Sequence, residues 1–235
     1  MAAVAALLTA WVVVPAAVPL FDGLNFPDEP YRYVVPPADY QKTPAPDHAT
    51  GSAAVTGTTN GTTVYVNTDE QAPQINVVLP GGLLGVTSGA TSVTVSVAPR
   101  GPDRQPSKGS IEGNVYRVSA VASPAGAVTW APPPGDAASA STMVLRATSA
   151  RQPPPVFLYR AHPTLAWTVL PTAPTGNDVY RTPFAGFGDY ALAFGVVATA
   201  SPHSDALAIS LSVLLVVVLL AVAAVLVVRL RRRPA

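Results

Sequence analysis

Thr91–Val97 reads TSVTVSV. Val93, Val95 and Val97 alternate with Ser92, Thr94 and Ser96, so an extended chain has one apolar face and one hydroxylated face. That is the pattern of an antiparallel strand with a core on one side and water on the other. Similar runs recur on both sides of it from Ala53 onward: TTVYVN (62–67), QINVVL (74–79), NVYRVSAV (114–121), AVTW (127–130), TMVLRA (142–147), PVFLYR (155–160), LAWTVL (165–170) and DYALAFGVV (189–197). Clusters of turn-forming residues separate them: PGG (80–82), SGA (88–90), PRGPDRQPSKG (99–109), SPAG (123–126), APPPGDA (131–137), RQPPP (151–155) and PTAPTGND (171–178).

No helical period interrupts the series, and proline recurs too often in the connections for βαβ crossovers, which need a dozen or more helical residues. Eight to ten short strands in roughly 150 residues is the size of one antiparallel β-sandwich with a substantial core. The fold class is therefore all-β, with the sandwich over residues 53–198. Val95, Val97, Tyr116, Val118, Leu145, Trp167, Val169, Leu192 and Phe194 are its expected core.

Ahead of the sandwich, residues 22–52 are rich in Pro, Asp and Tyr and show no sustained period. They read as an extended lead, partly polyproline II and pinned by its aromatic residues.

Beyond residues 199–205, a stalk, residues 206–228 carry no charge, and their only polar side chains are Ser210 and Ser212. A helix of that length reaches about 34 Å, enough to cross a hydrocarbon core of about 30 Å. A soluble helix would need a polar face, and this one has none past its first turn. In lipid a single span satisfies its backbone only as a helix, so the β-branched residues do not argue against one. Arg229, Arg231, Arg232 and Arg233 follow at once in the tail 229–235. They read as a cytoplasmic anchor under the positive-inside rule, which places the preceding chain outside the cell.

The other end agrees. Residues 2–21 are apolar, but Pro15 and Pro19 leave a helical run of only about 13 residues, the length of a secretory h-region rather than a span. No basic n-region precedes it, so retention as a hydrophobic segment is the alternative to cleavage near Ala16 and Ala17. Either way residues 1–21 export the middle of the chain.

Cysteine is absent, so an exported domain holds itself together without disulfides. Arginine outnumbers lysine twelve to two, and Ala, Val, Pro and Gly are heavily used, a bias similar to that of high-GC actinobacterial proteins. The formal charge is +1, and without the four tail arginines it is −3, so nothing outside the membrane resembles a nucleic-acid binder. Asn60–Thr62, NGT, is a glycosylation acceptor in a eukaryotic secretory pathway and a plain turn in a bacterial one.

Sites for chemistry are scarce. Thiol nucleophiles and thiolate metal sites need cysteine. His48, His162 and His203 never stand at HxH or HxxxH spacing, and no G-x-S-x-G elbow presents a serine. Asp28-Glu29 and Asp69-Glu70 could donate oxygens to calcium, but without a D-x-D-x-D-G loop they read as solvated turns. No catalytic, cofactor or metal residue is assigned.

Tyr-Arg recurs four times, at Tyr31-Arg32, Tyr116-Arg117, Tyr159-Arg160 and Tyr180-Arg181. On a strand such a pair sends the ring inward and the guanidinium outward, which is ordinary sheet amphipathicity. The functional alternative is a surface row of Arg117, Arg160 and Arg181 that holds a carboxylate, phosphate or acidic glycan through bidentate contacts.

The stretch from PQINVVLPGGLLGVTSGATSVTVSVAP (73–99), through GNVYRVSA, TMVLRA, PVFLYR and LAWTVLPT, to FGDYALA resembles the ZU5-like β-sandwich repeats of bacterial exported, membrane-anchored proteins. The Pro80–Gly82 turn and the Gly188-Asp189-Tyr190 corner carry the resemblance, which covers roughly residues 72–197. It implies a binding or structural module without catalytic residues. The long Pro-rich insertions depart from that pattern. The expected protein is thus a single-pass, non-catalytic binding or scaffolding module of the cell envelope, whose partners are the bilayer and an envelope protein or glycan. A membrane-tethered cell-wall hydrolase and a mechanical spacer are the alternatives.

Overall fold

The computed structural model describes residues 29–124, 126–131 and 141–196. These residues are all-β: two antiparallel sheets, with no α-helix among them and one 3₁₀ turn at Ala38–Tyr40. Among the described residues no helix is long and apolar enough to cross a membrane. The leader, stalk, span and tail expected at 1–21, 199–205, 206–228 and 229–235 lie outside them.

Fifteen strands follow in order: β1 Ala49–Thr56, β2 Thr59–Asn60, β3 Val64–Asn67, β4 Ile75–Leu79, β5 Leu84–Val86, β6 Ser92–Arg100, β7 Ser110–Ile111, β8 Val115–Ser123, β9 Val128–Trp130, β10 Thr142–Arg146, β11 Val156–Arg160, β12 Thr168–Leu170, β13 Ala173–Pro174, β14 Val179–Pro183 and β15 Gly188–Phe194. The first sheet runs β12-β11-β15-β8-β6-β1-β2-β5-β9, with β7 added beside β15, and the second runs β13-β14-β10-β4-β3.

The valines of β6 lie at 0–1% exposure. With Tyr116, Val118, Phe157, Tyr190, Leu192 and Phe194 of the same sheet, they share one core with Val64, Val66, Ile75, Val77, Leu79, Met143, Leu145 and Tyr180 of the other. The layers are therefore sandwich-like, as alternating patterns on both sheets require. β15 differs from its neighbours because every residue in it is buried. Its outer face, with Ala191 and Ala193, lies under a second cluster made by Ile111, Val115, Val156 and Leu158, and Trp167 and Val196 pack against that cluster.

Two features depart from the sequence reading. Val169 is exposed and Trp167 only half-buried, while Leu170 packs against the core. Alternation makes this a shift of one residue, which exchanges the two faces of a strand. The lead also ends sooner than 52, because β1 begins at Ala49 and pairs with β6 from Ala49↔Val97 to Ala54↔Ser92.

β1 explains why small residues fill ATGSAAVT. A Cβ on Gly51 would fall inside the van der Waals envelope of the Tyr65 carbonyl, on β3 of the opposite sheet. Glycine lets the two sheets approach there. Gly51→Ala should destabilise the domain by about 1–3 kcal/mol through overpacking against backbone. Urea unfolding of the full chain, followed by tryptophan emission, checks this; an unchanged midpoint would show that the sheets can part at no expense.

Candidate functional site

In three of the Tyr-Arg pairs, Tyr116, Tyr159 and Tyr180 pack in or against the core and the arginine takes the opposite face. The structure does not, however, bring Arg117, Arg160 and Arg181 into one surface row. Arg117 and Arg160 belong to the first sheet, and Arg181 to the second.

Arg117 and Arg160 lie on the strands that flank β15, and both are directly opposite Asp189. Residues in such register share a face, so the three form the row Arg-Asp-Arg across the outer side of the sheet. Asp189 is 1% exposed. Arg117 grips it with Nε and Nη2, the latter at 2.7 Å to Oδ2, and Arg160 Nε donates to Oδ2 at 3.0 Å. Arg160 is itself 2% exposed. Its remaining edges donate to Asp103 Oδ1 at 2.5 Å and to the Pro163 carbonyl at 3.0 Å, and its Cζ lies 4.3 Å from the centre of the Trp167 ring. Trp167 Nε1 closes the assembly by donating to the Arg104 carbonyl at 2.9 Å.

Arg117 and Arg160 thus already hold carboxylates of their own chain. The expectation of outward guanidinia free for a ligand is corrected for these two, because Asp189 on the strand between them supplies the counter-charge, and Asp103 and the Pro163 carbonyl from neighbouring loops take the remaining donors of Arg160. A lone Asp at the head of a run apolar on both faces, DYALAF, was the sequence signal for such a partner.

The lead is the second charged assembly. Tyr31 and Tyr33 are buried, and Tyr31 Oη accepts the Asn114 N–H at 3.0 Å. Burial pushes the Tyr31 hydroxyl up to about 12. Arg32 pairs with Glu29 and Asp47, Glu29 Oε2 accepts the Ala72 N–H, and Glu70 Oε1 accepts the Asp47 N–H. Acids that read as solvated turns, Glu29 and Glu70, instead tie the lead to the loop before β4. Among the described residues no group of three metal-ligating side chains forms. His48 and His162 are exposed; His203, Asp28 and the anchor arginines lie outside the described residues.

Asn60 of the NGT triplet is 1% exposed. Its amide donates to the carbonyls of Thr62 and Pro80, and its Oδ1 accepts from Leu84 N. Here the side chain organises the Pro80–Gly82 turn.

Glu29 and Asp103 both titrate below the ordinary carboxylate range. Burial opposes ionisation of each. It is outweighed at Glu29 by the Ala72 N–H and Arg32, and at Asp103 by the hydrogen bond and charge of Arg160. A carboxyl with a lowered folded pKa adds stability above its unfolded value, here 4.5 and 3.8, and loses it as pH falls through the folded one. The melting temperature should therefore hold steady from pH 7 to about 5 and fall below that. The double variant Glu29→Gln, Asp103→Asn should start lower and fall less steeply; parallel acid limbs would place the effect elsewhere.

Arg181 stands apart. Its cross-strand neighbours are Val144 and Ala173, and among the described residues its guanidinium has no partner. It lines an open groove of about 220 Å³ with Thr142, Pro171, Thr172, Ala173, Thr182 and Pro183. Pro171 and Thr172 carry the chain from β12 in one sheet to β13 in the other. Thr172 is fixed there, since its Oγ1 accepts Phe157 N at 2.8 Å and donates to the Leu170 carbonyl. Thr182 is 2% exposed; its side chain faces the core opposite Met143, and among the described residues its hydroxyl has no hydrogen-bond partner. The groove is composed from three separate stretches of chain, so only its arginine could be named from sequence.

No protein-family model, no curated protein and no solved structure matches the chain.

Proposed function

We propose that the protein is a single-pass, membrane-anchored extracytoplasmic β-domain, a non-catalytic binding or scaffolding module of the cell envelope. In this reading residues 53–198 form an antiparallel β-sandwich of ZU5-like type, residues 206–228 form the span, and the C-terminal tail is cytoplasmic. The observation that carries the placement is the charge-free stretch 206–228 with four arginines directly after it. A binding role is supported by the groove at Arg181, a cation without a partner among the described residues, set beside an apolar wall.

Protease added to intact cells should remove the region between Asp22 and Ser204 and spare a tag placed after Ala235; loss of that tag would overturn the topology. The binding role is checked by immobilising the full chain through the same tag and identifying what it retains from detergent-solubilised envelope. A specific protein or glycan is the expected result. An empty column loaded with folded protein would count against a binding role.

A further inference from the structure

We propose that the groove beside Arg181 is a binding site for a carboxylate carried on a short apolar stem. The inference deepens the binding reading above and rests on it.

The arginines of this domain are not generally idle. Of the eight in the described residues, Arg32, Arg117, Arg146, Arg151 and Arg160 each pair with a carboxylate. Arg104 donates to the Thr164 carbonyl. Among the described residues Arg100 and Arg181 are left without a partner, and Arg181 lines a groove. Its cross-strand neighbours are apolar, so no carboxylate directly opposite competes for it.

The groove matches one kind of occupant. At about 220 Å³ it is smaller than the roughly 300–1,000 Å³ of pockets that enclose drug-sized ligands, so it takes a single small group. Prolines 171 and 183 and Ala173 give it an apolar wall. A guanidinium presents paired N–H donors that match a carboxylate. Thr182, next along β14, turns its side chain to the core opposite Met143, so the guanidinium is the polar group that faces the groove from this strand. One arginine neutralises one charge, whereas a phosphate dianion would retain uncompensated charge against apolar surface. Among the described residues no aromatic side chain lines the groove to stack a sugar ring. The acid group can come from the C-terminal residue of a peptide or from a free small acid; the site chemistry is the same.

The test is titration calorimetry on the full chain in detergent at moderate salt. The probes are N-acetyl-L-alanine, its amide, an acetylated alanine tripeptide with a free carboxyl, inorganic phosphate and glucuronate. N-acetyl-L-alanine should bind, and its amide and phosphate should bind at least tenfold more weakly, because a charged hydrogen-bonded pair is lost. Arg181→Gln should weaken the acid at least tenfold, and Arg100→Gln should leave it unchanged. Tighter binding of the tripeptide identifies a peptide end as the source; equal binding identifies a free acid.

Unchanged binding in Arg181→Gln, equal binding of acid and amide, or preference for glucuronate or phosphate would each overturn the proposal. So would the absence of any carboxylate binding. If Arg181→Gln still captures the partner found with the immobilised wild-type chain, the groove assignment fails while the binding role stands.

Discussion

Replacing Asp189 with Asn is expected to lower the unfolding free energy by about 3–5 kcal/mol, the usual consequence of removing one member of a buried charge group. Against a total of about 5–15 kcal/mol for a domain, this is the most damaging single change expected here. The reason is positional. Arg160 is 2% exposed, and once Asp189 is neutral its one remaining carboxylate among the described residues is Asp103, whose side chain is half in water. Arg117, with a side chain 22% exposed, can turn toward solvent and loses less. Urea unfolding of the full chain measures the loss. A second variant separates charge from shape: Arg117→Met, Asp189→Leu and Arg160→Met together should recover most of the stability, because well-packed apolar groups often equal or exceed a buried ion pair. If Asp189→Asn alone were neutral, the row would be ordinary surface electrostatics despite its burial.

Tyr190→Phe is expected to cost about 3 kcal/mol although the ring stays in place. The Tyr190 hydroxyl donates to the Gly186 carbonyl at 2.6 Å and accepts the N–H groups of Ala185 and Gly186, each at 3.0 Å. Phenylalanine would strand those backbone groups beside the core, at about 1–3 kcal/mol for a fully buried one. Burial also raises the Tyr190 hydroxyl far above the usual phenol range, so it stays protonated and keeps donating at any physiological pH. The same arrangement, a tyrosine at the start of a strand bonded to backbone just upstream, fixes corners in other β-sandwiches. Thermal unfolding and amide exchange at Ala185 and Gly186 check the expectation; unchanged protection at both amides would show that water substitutes for the hydroxyl.

These two residues also show which parts of the molecule were legible in sequence. Alternation at Thr91–Val97 gave a strand and its inward face because one side is valine and the other hydroxylated. β1 and β14 carry no such contrast: ATGSAAVT is small on both sides, and VYRTP is short and ends in proline, so neither stood out. β12 was seen, but its inward face was misassigned by one residue, since Trp167 and Val169 look more apolar than their setting. Trp167 is held at the surface by Arg160 and the Arg104 carbonyl, interactions that a window of six residues does not contain.

The candidate sites follow the same logic. Arg117, Arg160 and Arg181 attracted notice through a local dipeptide, which reports the face a side chain takes but not its company. That company comes from Asp189, Asp103, Thr142 and Pro171, and only the strand order brings them near. The lead is a similar case. Proline and the lack of periodicity marked 22–52 as extended, while Tyr31, Asn114 and Glu70, which bind it to the sandwich, are far apart in the chain.

Because β15 lies between β11 and β8 and is covered on both faces, it is also where a mechanical load would enter. A pull on the chain just after Val196 cannot peel the last strand from an edge; it must tear ladders on both sides and drag Tyr190 and Phe194 out of the core. Force applied at the other end meets the lead first, whose attachments around Arg32 and Tyr31 can give way one after another while the sheets hold. The domain should therefore extend in steps from its N-terminal side and resist as one block from its C-terminal side.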